Sequence, residues 1–236
     1  MNMNNKSLTV LIPLYNKEQL IKLALSQTIK LVRDLDYEII VIENESTDNS
    51  KQEVENYIAK SNDNIKLIST KKGLGHALKS GIDLSSKEYL MCVPADFSTG
   101  TSEINFFKNE TGFDYVISNR THPLSNSSQS INRRIISIVF NLLKKIILNL
   151  NYQDTQFSFI IKTDIAREMS KKCKASGFFI TTELVYLAVK NGIKIYEIPV
   201  EIHEQEGNIT TVKILKDSLK IVFEMLMLFK SEGRLK

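Results

Sequence analysis

The chain has 236 residues, 42% of them hydrophobic, which is enough to bury one large core or two small ones. Its two cysteines make no disulfide framework, its polar first residues lack a secretory apolar run, and no stretch reaches the roughly 18 uninterrupted apolar residues of a spanning helix. A net charge of +4 calls for no nucleic-acid partner, so the expectation is a reduced, cytoplasmic protein that is at most peripheral to the inner face of the cytoplasmic membrane.

In chain order, Leu8-Thr-Val-Leu-Ile-Pro13 reads as a first strand stopped by proline, and residues 18–32 as a helix. Tyr37-Glu-Ile-Ile-Val-Ile42 is a second strand that runs into Glu43-Asn-Glu-Ser-Thr-Asp48, where Ser46 or Thr47 is placed to cap the next helix. A third strand is expected over residues 65–69, a third helix over 75–84, and a buried fourth strand over 90–93 that ends at Pro94. Strands alternating with helices imply βαβ units and a largely parallel sheet. Asp96 then falls at the carboxyl end of the fourth strand, where open α/β sheets bind ligands, although capping a turn would also explain it.

After Gly100 the pattern changes. Residues 115–119 read as a strand, 121–130 as a long polar loop and 131–150 as an amphipathic helix with a wide apolar face. That helix suits either a core position or a bilayer surface. Residues 157–162 are strand-like, 181–190 helical, 193–202 a strand whose Pro199 argues for an edge or a bulge, and 210–230 a second amphipathic helix. Basic pairs at Lys71-Lys72, Arg133-Arg134, Lys144-Lys145 and Lys171-Lys172 suit phosphates or anionic lipid.

Several segments, taken in order, resemble the family 2 glycosyltransferases of GT-A fold, and among them the dolichyl-phosphate mannosyl- and glucosyltransferases. Ile12-Pro-Leu-Tyr-Asn-Lys-Glu18 is similar to Ile-Pro-x-Tyr-Asn-Glu, and Glu43-Asn-Glu-Ser-Thr-Asp48 to Asp-Asp-Gly-Ser-Thr-Asp. Gly73-Leu-Gly-His-Ala77 resembles the glycine-rich helix start, Pro94-Ala-Asp96 stands at Asp-x-Asp, and Asp154-Thr-Gln-Phe-Ser-Phe159 resembles Asp-Thr-Gln-Cys-Gly-Phe. Ser118-Asn-Arg120, Arg133 or Arg134, Glu183 and Glu197-Ile-Pro-Val200 complete the series.

The resemblance implies an α/β GT-A fold with a mostly parallel central sheet and amphipathic helices on the acceptor side. It implies one domain over residues 1–236, with a nucleotide-sugar half at about 7–100 and an acceptor half at about 101–236. The implied reaction is inverting transfer of a sugar from a nucleotide diphosphate sugar to a polyprenyl (dolichyl or undecaprenyl) phosphate. The alternatives are transfer to a saccharide acceptor in surface-polysaccharide assembly and a non-catalytic nucleotide-sugar-binding relative. Donor contacts are carried onto Pro13, Tyr15, Asn16, Glu18, Glu43, Asn44, Ser46, Lys72, Gly73, Gly75, Ala77, Pro94, Ala95 and Asp96.

Glu43 and Asn44 offer hydrogen bonds to a base, while Gly73 and Gly75 let a backbone approach a helix start that favours anions. Catalytic roles are carried onto Asp96, Arg120, Arg133, Arg134, Asp154, Gln156 and Glu183. An anionic polyprenyl phosphate needs arginines and no base, whereas a sugar hydroxyl would need Glu183 as its base. Mg²⁺ or Mn²⁺ is implied as cofactor, with Asp96 and Ser98 as its ligands.

Three departures stand out. Pro94 replaces the first Asp of Asp-x-Asp, Glu45 stands where a glycine is usual, and His203-Glu-Gln-Glu-Gly-Asn-Ile-Thr210 lacks the arginine and Ser-Lys pair of the related enzymes.

Overall fold

The first strands are near-continuous apolar runs whose successive side chains point to opposite faces of a sheet, so each face has its own core. The computed structural model describes residues 6–126, 131–202 and 214–235; within 131–134 and 214–217 only the backbone is described. The chain runs β1 (Ser7–Leu14), α1 (Ile21–Val32), β2 (Asp36–Glu43), α2 (Ser50–Ile58), β3 (Ile65–Ser69), α3 (Leu74–Leu84) and β4 (Tyr89–Cys92). It continues through α4 (Thr101–Asn109), β5 (Tyr115–Asn119), α5 (Ile131–Leu148), β6 (Phe159–Lys162), α6 (Thr163–Lys172), α7 (Ile180–Lys190), β7 (Ile195–Pro199) and α8 (Ile214–Glu232).

The strands form one sheet in the order β3-β2-β1-β4-β6-β5-β7, in which β6 alone runs against its two neighbours. Val10, Ile12, Ile39, Val41 and Met91 pack with α1, α2 and α4 on one face. Leu11, Ile40, Ile42, Leu90 and Cys92 pack with α3, α6 and α7 on the other. The expected largely parallel α/β sheet is therefore present. Pro199 ends the edge strand β7, where a missing amide costs no ladder bond. Cys92 and Cys173 are both buried and unpaired.

Two helices escape the sequence reading. α4 fills the stretch after Gly100, with Ile104 and Phe107 buried at helical spacing and Glu103 bonding back to Gly100 N. α6 follows β6 directly. The expected cap at Ser46 or Thr47 is corrected as well, because α2 starts after Asn49 and both hydroxyls bond Asn16 instead.

Helix α5 packs one stripe on the core and leaves another exposed. Phe140, Leu143 and Ile147 pack on the core, whereas Ile135, Ile138, Val139, Leu142 and Ile146 are exposed. Helix α8 packs beside it and exposes Leu219, Phe223, Leu226 and Met227. No helix among the described residues is long and apolar enough to cross a membrane.

Candidate active site at the carboxyl edge of the sheet

The chain leaves β1 for β2 on one side and returns to pair β4 on the other, so the carboxyl ends of β1 and β4 flank a topological switch point. Open α/β sheets bind ligands in the crevice that such a reversal opens. Backbone strain marks the same edge. Asn16 (φ 51°), Glu45 (φ 58°) and Phe97 (φ 49°) are left-handed non-glycine residues in the loops after β1, β2 and β4. Such conformations cost about 1–3 kcal/mol each and persist where the surroundings impose them. Glu45 adopts the positive φ at the position where the resembling enzymes carry glycine.

These loops are bonded to one another. Asn16 N donates to Ser46 Oγ at 3.2 Å, and Thr47 N donates to Asn16 Oδ1 at 2.7 Å. Glu18 N donates to Asp48 Oδ2 and Glu18 Oε2 accepts from Asn49 N. Glu43 is buried and accepts from Ser46 N, while Asn44 Oδ1 accepts from Gly73 N at 2.8 Å. Lys72 Nζ donates to the Tyr15 hydroxyl and lies 4.0 Å from the centre of its ring. Pro13 does not stop β1 as expected, since it pairs with Ile42 and the strand runs on to the buried Leu14; Asp96, only 9% exposed, accepts from Ser98 N at 3.1 Å through Oδ1. Tyr15, Asn16, Glu18, Glu43, Asn44, Ser46, Lys72, Pro94 and Asp96 thus share one edge.

Three expectations for this edge are corrected. Gly73 and Gly75 admit the chain's own backbone: a Cβ would lie 2.2 Å from Ser176 O at Gly73 and 2.3 Å from Ala175 O at Gly75. The Gly75 amide is already bonded to Ser176 O, so packing, in place of a phosphate, explains this pair. Ala77, on the inward face of α3, is fully buried in the core, so its side chain faces no solvent-accessible site. Ala95 is likewise buried among the apolar residues of the opposite face.

On the acceptor side, Arg120 and Asp154 engage each other. Nε meets Oδ2 at 2.6 Å and NH2 meets Oδ1 at 2.8 Å, while Phe157 stacks 4.2 Å from the guanidinium. Gln156 Nε2 is buried and has no hydrogen-bond partner among the described residues. The side chains of Arg133 and Arg134 and the segment 203–210 lie outside the described residues.

Glu183, expected as a base for a sugar hydroxyl acceptor, is engaged by the backbone. It is buried and accepts from Lys174 N and Ala175 N at 2.8–3.0 Å, tying the 174–176 loop to α7. Burial pushes its carboxyl above the usual range, against the backbone bonds and Lys79 that favour the charged form. With Phe179, Lys220 and Phe223 it lines a cavity of about 330 Å³ next to α8. A larger hollow of about 420 Å³ lies at the amino end of β4, by Ser85, Lys87, Lys162 and Arg167, and holds none of the expected site residues.

The model of the glycosyl transferase family 2 matches residues 9–166. The chain belongs to that family. It is 28% identical to the dolichyl-phosphate beta-glucosyltransferase of Dictyostelium discoideum, covering 95% of this chain and 76% of the relative. It is 25% identical to the Saccharomyces cerevisiae enzyme of the same name, covering 94% and 73%. Glucosyl-3-phosphoglycerate synthase from Mycobacterium tuberculosis, solved with Mn²⁺, uridine-diphosphate and phosphoglyceric acid, superposes with a TM-score of 0.70 at 14% identity over 98% of this chain and 80% of that one. The same synthase with Mn²⁺, uridine-diphosphate-glucose and phosphoglyceric acid gives 0.69 at 15% identity, over 94% and 79%. At that identity the likeness establishes the fold, which is GT-A.

Solved neighbours of this family 2 glycosyltransferase hold Mn²⁺ with uridine-diphosphate, yet among the described residues the carboxylates at this edge do not by themselves make a divalent centre. Mg²⁺ and Mn²⁺ take several hard oxygen ligands, yet Pro94 supplies none and Asp96 Oδ2 faces the Lys17 ammonium at 3.6 Å. Among the described residues no three His, Cys, Asp or Glu stand together.

Lys17 and Glu103 carry no sequence assignment, and Lys144, expected in a basic pair for phosphates or anionic lipid, is corrected to a buried position. Lys17 was passed over between two motif positions. Glu103 accepts from Thr99 Oγ1 and Ser118 Oγ, both at 2.6 Å, joining the loop after Asp96 to the end of β5. Lys144 is 1% exposed and donates to Asn141 Oδ1 at 2.8 Å and to Tyr152 O. Its spacing from Phe140 and Leu148 on the inward stripe of α5 was the available signal.

Proposed function

We propose that this glycosyltransferase moves a sugar from a nucleoside diphosphate sugar to a polyprenyl phosphate, with inversion, as a peripheral protein at the cytoplasmic face of a membrane. The observation that carries the acceptor is the position of the apolar face. Helix α5 turns Ile138, Leu142 and Ile146 outward and, through Lys144, is bonded to the segment that holds Asp154 and Gln156. An amphipathic helix with basic flanks lies in a bilayer surface, which is where a lipid phosphate would be met. The names of the relatives support the same acceptor, and the neighbour's uridine-diphosphate-glucose complex supports the donor.

In this reading residues 7–100 bind the donor, with Tyr15, Asn16, Glu43, Asn44, Ser46 and Lys72 around the nucleotide and Asp96 at the diphosphate. Residues 101–236 bind the acceptor, whose phosphate is placed by Arg120, Arg133, Arg134 and Gln156 Nε2, which has no hydrogen-bond partner among the described residues. An acceptor phosphate oxygen gives its electron pair to the anomeric carbon from the face opposite the leaving group. The bond from that carbon to the diphosphate oxygen breaks, and the nucleoside diphosphate departs with the pair. The acceptor oxygen is already anionic, so no base is required. Glu183, turned to the Lys174 and Ala175 amides, is then a positioning residue.

The test is incubation with radiolabelled UDP-glucose, or its GDP or dTDP counterparts, and undecaprenyl or dolichyl phosphate, followed by organic extraction. Label in the organic phase is expected. Label only in an added saccharide would favour the saccharide reading, and donor binding with no transfer to either acceptor would leave the non-catalytic relative.

A further inference from the structure

The carboxyl edge carries a cation that no motif assigned. Lys17 Nζ lies 3.6 Å from Asp96 Oδ2, and the two side chains are only 14% and 11% exposed. Both are positioned by their backbones. Lys17 N donates to Ser50 Oγ at 2.7 Å, and Asn16 before it takes the left-handed turn that leads the chain off β1. Asp96 is fixed by the Ser98 amide on Oδ1 and is followed by the left-handed Phe97. An ammonium therefore faces a carboxylate across the switch point between β1 and β4, where a nucleoside diphosphate would lie.

The sequence changes at this place agree in sign. Where the resembling enzymes carry Tyr-Asn-Glu and Asp-x-Asp, this chain has Tyr15-Asn-Lys17 and Pro94-Ala-Asp96. The first carboxylate of Asp-x-Asp has gone, and an ammonium stands directly after Asn16, with Glu18 displaced by one position and turned to the Asn49 amide, so the crevice has lost anionic oxygens and gained a positive charge. A divalent ion in a transferase neutralises the diphosphate as it leaves, and a lysine point charge held in a water-poor crevice supplies the same term.

We propose that Lys17 takes the place of the divalent cation in this enzyme: its ammonium binds the donor's diphosphate, and Asp96 holds it in position. As the anomeric bond breaks, the pair left on the diphosphate oxygen meets a charge that is already in place, so little reorganisation accompanies the step. The inference rests on the nucleotide-sugar reading above.

Calorimetric titration of UDP into the full chain, in EDTA and again in Mn²⁺, tests it apart from activity. Wild type is expected to bind UDP in EDTA with an affinity within about threefold of that in Mn²⁺, and Lys17→Met to lose at least about tenfold in EDTA. Lys17→Glu, which puts a second carboxylate beside Asp96, is expected to bind UDP only with Mn²⁺. Circular dichroism checks that both variants fold, and the wild-type comparison stands even if they do not. UDP binding by wild type that vanishes in EDTA and returns with Mn²⁺ overturns the Lys17 inference alone. Failure of UDP, GDP and dTDP to bind in either buffer overturns the donor reading and this inference with it.

Discussion

Arg120 holds Asp154 by two parallel bonds, Nε to Oδ2 at 2.6 Å and NH2 to Oδ1 at 2.8 Å, while its own amide donates to Oδ2 at 3.1 Å. The pair joins the end of β5 to the segment before β6. A lysine cannot reproduce the fork, so Arg120→Lys is expected to destabilise the protein by about 1 kcal/mol. Asp154→Ala removes both bonds of the fork from a partly buried guanidinium and is expected to cost more, about 2 kcal/mol. Urea unfolding of the two variants gives the order.

Lys144 supplies a pH signature. Burial lowers its ammonium from 10.5 to about 8, against the attraction of Asp154 and Glu197; Asn141, Tyr152 O and the Thr155 hydroxyl also face it. Below pH 8 both folded and unfolded states carry the proton, and the folded state bears the full cost of burying it. Between about 8 and 10.5 the folded state releases the proton first, so stability rises with pH, by about 3 kcal/mol over the window. Lys144→Met is expected to lack this rise. A wild-type-minus-variant difference that stays flat from pH 7.5 to 10.5 would count against the buried charge.

Glu183 separates two acceptor chemistries. Burial raises its carboxyl, so the ionised form is disfavoured in the folded state at neutral pH, and that penalty disappears as the pH falls below its unfolded value of 4.5. Glu183→Gln keeps an acceptor for the Lys174 and Ala175 amides, and the variant is expected to hold stability within about 1 kcal/mol and transfer within about threefold. Loss of a general base would instead cost about 10²–10⁴ in rate. Steady-state transfer to a polyprenyl phosphate decides between them.

The exposed face of α5 and α8 is expected to bind anionic vesicles. Placing aspartates at Ile138 and Leu142, which are 60% and 56% exposed and therefore cost the fold little, removes two insertions of about 1.5–3 kcal/mol each. Flotation with phosphatidylglycerol vesicles should fall by more than about tenfold while the thermal midpoint stays put. Unchanged flotation would remove the membrane from the proposed function.

Gly75 tests whether the glycine pair serves packing. A Cβ there would meet Ala175 O at 2.3 Å and Ser176 Cα at 2.7 Å, all of it backbone that cannot swing aside. Gly75→Ala is expected to destabilise by about 2–3 kcal/mol and to raise hydrogen exchange in the 174–177 loop. A variant as stable as wild type would mean that the loop yields.

The sequence by itself determined the seven strands, most of the helices, the largely parallel sheet and the position of Asp96 beyond the fourth strand, because these depend on short-range signals: short apolar runs, proline near their ends, and the alternation of strands with helices. It missed α4 and α6, whose apolar stripes are short and lie among polar residues. Asn16, Glu43, Asn44, Ser46 and Asp96, singled out by the family motifs, lie along one edge because each ends or follows a strand of the same sheet.

Only the tertiary structure decided what those residues touch. Gly75 meets Ser176 about a hundred positions away, Asp154 takes the fork of Arg120, and Lys144 turns inward on a helix whose lysines read alike in sequence. Lys17 reaches Asp96 for the same reason: β1 and β4 are neighbours in the sheet though far apart in the chain, and a side chain's charge partner is set by that distance in space.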